Sequence, residues 1–140
     1  MTYKSQATRK MTRKEVRGYL PKLPSQYLKI PVYLGTVHES VAKSEIDDDG
    51  TTHVYIVISS KEIGRSKYQM ICHLAHEFSH AIITKKFGVA SPMHDYLFYT
   101  IFLYLCDPRA LKYEDAERSK IIMKNILFVN KASKVLRKIL

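Results

Sequence analysis

A chain of 140 residues with 46% apolar residues is long enough for one domain with its own core. Its longest apolar stretch, Tyr96 to Cys106, is far short of the roughly 18 residues that a transmembrane helix needs. The formal charge of +10 favours polyanions as partners, nucleic acid first among them, or a surface that keeps copies of the chain apart.

Cys72 and Cys106 are too few for a disulfide framework, and no C-x-x-C pair is present to form a zinc ribbon. Such cysteine usage predicts an intracellular, reducing setting, either cytoplasmic or near the nucleic acid. The basic N-terminus has no apolar segment after it, so no secretory signal is expected. The whole chain reads as a single domain over 1–140. Basic, loose ends are expected at about 1–11 and 130–140.

Thr12-Arg13-Lys14-Glu15 has the form of a capping box and predicts a short helix to about Tyr19, before Pro21 and Pro24 break the chain. β-forming residues predict a strand from Ile30 to His38 and a weaker one from Val41 to Ile46. Asp47-Asp48-Asp49-Gly50 predicts a turn, with Gly50 able to take positive φ. The same acidic cluster lacks the spacing and closing glutamate of a calcium loop. His53 to Ser59 is the strongest strand signal in the chain.

Ser66 and Gln69 form a second capping-box pattern, and Lys85-Lys86-Phe87-Gly88 is a helix stop, so a helix is predicted from about 67 to 87. Ile71, Leu74, Ala75, Phe78, Ala81 and Ile82 would pack that helix into a core. Ser91-Pro92 opens a further helix to about Cys106, and Asp107-Pro108 opens a third long one to about Phe128. The tail from Asn130 sets basic residues against Val135, Leu136, Ile139 and Leu140 at helical spacing. It suits packing on the body, a partner, or an inhibitory cover over a cleft.

The string His76-Glu77-Phe78-Ser79-His80 is the most specific signal. Residues four apart share a helix face, so two imidazoles can grip one metal ion while the glutamate reaches its water. In this composition the pattern arises by chance in about one shuffled sequence in eighty. It predicts a Zn2+-dependent hydrolase with His76 and His80 as ligands and Glu77 as general base. The strand at 53–59, just ahead of this helix, then predicts a sheet edge beside the site that holds extended substrate by main-chain pairing.

A catalytic zinc usually takes three protein ligands and keeps one position open. His94, near the start of the next helix, is the first candidate for the third. Glu114 and Glu117 are the alternative, as in a minimal peptidase with a glutamate ligand. His73 lies on the same helical stripe but about 10 Å of rise from His80, which suits a rim position. Tyr96 and Tyr99 are candidates to steady an oxyanion, or else core aromatics.

The segments "HLAHEFSHAI" and "HDYLFY", with "VYIVISSKEI" upstream, resemble the SprT-like metalloproteases, a group that includes Spartan-like and WLM-type proteases. The likeness covers roughly residues 53 to 105. It implies an α+β, zincin-like domain, with a small antiparallel or mixed sheet packed on the active-site helix and two further long helices. It further implies His76, His80 and His94 as zinc ligands, Glu77 as base, and protein substrates, often ones attached to DNA. No zinc ribbon and no nucleic-acid module accompany the match. A competing reading is a nucleic-acid-associated binding protein whose zinc site is structural or vestigial.

Overall fold

The hairpin predicted by the acidic turn frames the sheet. Val41–Ile46 (β3) and Thr52–Ser59 (β4) pair antiparallel, from Val41 opposite Val57 to Ile46 opposite Thr52. Their turn closes because Gly50 takes φ 85° and the Asp49 carboxylate accepts from the Thr51 N–H at 2.9 Å. Hydrogen bonds from Thr51 hold the Asp49 carboxyl below its ordinary value. The computed structural model describes residues 7–37, 39–46, 48–61, 66–87 and 96–139.

Val32–Gly35 (β2) joins β4 on its other side in parallel, and Ala7–Lys10 (β1) pairs antiparallel with β2. The result is a mixed sheet of four strands in the order β1-β2-β4-β3, and the fold class is α+β. β1 lies in a segment whose polar composition predicts a loose end. Pairing with β2 gives its backbone partners that local sequence cannot reveal.

β4 is a central strand. Ile56 and Ile58 face the main core, while Tyr55 and Val57 form a smaller cluster with Val37 on the opposite face. A strand buried on both faces reads as a near-continuous apolar run, which is why it is so prominent in the sequence. The sheet edge beside the motif helix is therefore β3 and not β4. The connection between β2 and β3 is pinned at the end of β4. There the Ser59 hydroxyl donates to the Val37 carbonyl at 2.6 Å and the Ser59 N–H donates to Ser40 Oγ at 2.9 Å.

Arg13–Tyr19 (α1) has the complete capping box: Thr12 Oγ1 accepts from the Glu15 N–H, and Glu15 Oε1 accepts from the Thr12 N–H, both at 3.1 Å. Arg9 on β1 donates to the same carboxylate at 2.8 Å. That guanidinium first, and the Thr12 N–H second, lower the Glu15 carboxyl to about 2. Thr12→Ala removes the cap and is expected to cost about 1 kcal/mol. Urea denaturation at neutral pH measures it, and an unchanged midpoint would show that the cap contributes nothing.

Lys67–Phe87 (α2) runs over the predicted span, with Ser66 Oγ accepting from the Tyr68 N–H at 3.2 Å. Its six predicted core residues, Ile71 to Ile82, are all buried. It packs against β4 and β3 on one side and against Tyr96–Leu105 (α3) on another. α3 contributes Phe98, Ile101 and Phe102 to the core. Burying side chains of this size stabilises by roughly 1.5–3 kcal/mol each.

The third long helix predicted from Asp107-Pro108 is in fact two elements. Asp107 does cap a helical segment, but Pro108–Tyr113 is a short 3-10 helix. Glu114 then adopts extended backbone, φ −72° and ψ 156°. Asp115 caps a new helix, its Oδ1 accepting from the Glu117 and Arg118 N–H groups at 3.0 and 3.4 Å. This helix, Ala116–Ile139 (α4), packs on α3 and takes in most of the predicted tail. Two aspartate caps close together in sequence divide what periodicity alone reads as one helix. Among the described residues no helix is long and apolar enough to cross a membrane.

Candidate metal centre

Helical spacing places His73, His76, His80 and Thr84 on one stripe of α2, and all four line a cleft of about 920 Å³. The opposite face of α2 carries Leu74, Phe78 and Ile82 into the core with no exposed surface. Glu77 lies between the two faces: it is buried, at 6% exposure, and still lines the cleft. The ligand atoms of His76, Glu77 and His80 all lie within 4.8 Å of one another. The two imidazole centroids are 5.1 Å apart.

Both rings are held by elements distant in sequence. Phe98 on α3 packs against His76 at 4.9 Å and His80 at 4.6 Å between centroids, and Phe102 lies 6.3 Å from His76. These aromatics fill one side of the imidazole pair. Glu114, in the break before α4, places Oε2 at 2.9 Å from His76 Nδ1. Its other oxygen accepts from the Asp115 N–H at 3.0 Å and lies 3.5 Å from Arg118. Burial works to raise the Glu114 carboxyl, but His76, the Asp115 N–H and Arg118 together hold it below its ordinary value. An imidazole whose Nδ1 is engaged by a carboxylate coordinates through Nε2 and is fixed in tautomer and orientation.

No protein-family model, no curated protein and no solved structure matches the chain. The reading of the site accordingly stands on residue chemistry. Two imidazoles and a carboxylate converging at one wall of a cleft are the donor types that suit zinc and similar divalent ions.

The other predicted site residues are placed as follows. His94 lies outside the described residues. Tyr96 opens α3, but its side chain lies outside what is described. Tyr99 is buried at 3% exposure, packs on Phe98, and is absent from the cleft lining; burial pushes its phenol up. That is the packing of a core aromatic. Glu117 is exposed and is not among the residues that line the cleft. Glu114 reaches the centre, but through His76 Nδ1.

Among the donors on the cleft wall that sequence reasoning missed are Tyr113 and Arg118. Both flank Glu114, and the aspartate cap at Asp115 was the signal that the chain turns there. It also missed β3 as the wall opposite α2: Val41, Ala42, Lys43 and Ser44 line the cleft along the sheet's edge.

Cys72 lines the same cleft yet is buried, and burial pushes its thiol up to about 12. Cys106 is buried as well and is pushed up further. Both thiols are expected to be inert in the folded protein. A disulfide reagent at pH 8 should modify neither in buffer and both in guanidinium. Fast modification of native Cys72 would contradict this packing.

Proposed function

We propose that the chain is a zinc-dependent peptidase with a zincin-like site. His76 and His80 hold the metal, and Glu77 is the general base. The observation that carries this reading is the convergence of His76, Glu77 and His80 within 4.8 Å on a cleft walled by a sheet edge. His94 is the leading third ligand on the SprT-like resemblance. Glu114 is better suited to orienting His76.

Bound zinc would supply Lewis acidity and bring the pKa of a coordinated water toward about 7. The chain's own residues do the rest. The Glu77 carboxylate takes a proton from the attacking water and returns it to the departing amine, which balances the hydrolysis. Glu114 keeps the His76 ring in one tautomer and one orientation. Tyr113 and Arg118 offer donors on the cleft wall for a substrate carbonyl. β3 offers main-chain groups along its outer edge, so an extended peptide can lie beside it as an added strand between β3 and α2.

The test is metal uptake followed by proteolysis. The purified protein should bind about one zinc per chain. It should cleave an unstructured substrate such as casein, lose that cleavage with phenanthroline, and regain it when zinc is restored. Protein that takes up no zinc, or cleavage that survives chelation, would overturn the reading.

A further inference from the structure

The continuity of α4 aligns charges that the sequence shows only as a basic end. Lys120, Lys124, Lys131 and Lys134 are all exposed. At 3.6 residues per turn they fall within an arc of roughly 80° along about 21 Å of the helix. Among the described residues none of the four forms an ion pair with a carboxylate. Ile122, on the other side of the helix, is buried at 3% exposure in the main core. The stripe thus faces outward where the helix is anchored, and it belongs to a chain of formal charge +10.

We infer that this lysine stripe on α4 is a binding surface for the phosphodiester backbone of nucleic acid. Each strand of a duplex carries one phosphate per about 3.4 Å of axis, so a line of about 21 Å is long enough for each of the four ammonium groups to meet a phosphate. Four ammonium groups can contact these phosphates without reading bases, so binding is strong at low salt and indifferent to sequence. An anionic membrane is the weaker match. An interfacial helix buries a continuous apolar face in lipid, whereas on α4 Ile122 is turned into the protein and the exposed apolar side chains described, Ile121 and Met123, stand on different sides of the helix. The inference rests on the surface of α4 and not on the metal centre, so it survives or fails independently of the peptidase reading.

The experiment uses the full chain, with and without zinc, and a fluorescein-labelled 20-nucleotide single strand and 20-base-pair duplex, followed by anisotropy between 50 and 300 mM KCl. Two variants lose the same charge. One carries Lys120→Gln, Lys124→Gln, Lys131→Gln and Lys134→Gln; the other carries Lys10→Gln, Lys14→Gln, Lys22→Gln and Lys29→Gln, also exposed positions. Circular dichroism checks that both fold. The α4 variant is expected to bind at least about 10-fold more weakly at 100 mM salt, with a log–log salt slope about 3 units shallower. The control should stay within about threefold of the parent, since charge away from the stripe acts only through screened, long-range attraction. Equal losses in both variants would mean diffuse attraction and overturn the assignment. So would a parent that binds neither oligonucleotide, or one that prefers phosphatidylserine vesicles while its oligonucleotide binding ignores the α4 changes.

Discussion

Glu77→Gln should retain zinc and lose catalysis. The amide is nearly the same size as the carboxylate, so the buried position beside His76 stays filled. What it lacks is a basic oxygen to take and return a proton. General acid–base catalysis of this kind contributes about 10²–10⁴-fold, so casein cleavage should fall by at least about 100-fold. Zinc affinity should change little, because the two imidazoles are untouched. A competition titration with a chromophoric chelator and a cleavage assay on one preparation read both quantities. A variant that turns over substrate at the parent rate would remove Glu77 as the base. One that loses metal and activity together would make Glu77 a ligand.

Glu114→Ala should do the reverse and strike the metal first. Its carboxylate, 38 positions beyond His76 in the chain, meets Nδ1 at 2.9 Å with a side chain only 5% exposed. Removing it leaves the ring nitrogen without that partner and free to rotate or change tautomer. Such partners of metal-binding histidines are typically worth about 10–100-fold in metal affinity, and that is the expected loss. Glu114→Gln keeps an acceptor oxygen for Nδ1–H, so it should recover part of the loss. Nitrogen chemical shifts of His76 in the metal-free protein supply a second readout: Nδ1–H should dominate in the parent and mix with Nε2–H in the alanine variant. Unchanged zinc affinity in Glu114→Ala would end the positioning role. Equal and complete loss of metal in both variants would point to direct ligation by Glu114.

The edge of the sheet illustrates how a correct element can sit in an unexpected place. The apolar run at 53–59 is a strand, and it does precede the motif helix. Its strength as a signal comes from burial on both faces, and that same burial puts β4 in the middle of the sheet. The weaker, half-polar β3 takes the edge beside the cleft, where one side of a strand must meet water or substrate. Local hydrophobicity reports how deeply a strand is buried and does not report which neighbours it has.

The amino-acid order by itself determined the motif helix, its limits, and the stripe that carries His76, Glu77 and His80, because helical spacing and end caps act over a few residues. It likewise set the hairpin turn at Gly50 and the apolar face that buries Phe78 and Ile82. Only tertiary structure brought Phe98 and Glu114 onto the imidazoles, made β3 the cleft wall, and, by burying Ile122, turned the lysines of α4 to the outside. Those arrangements depend on contacts between residues far apart in the chain, above all on the break at Glu114-Asp115, and chain spacing carries no distance across a packed core.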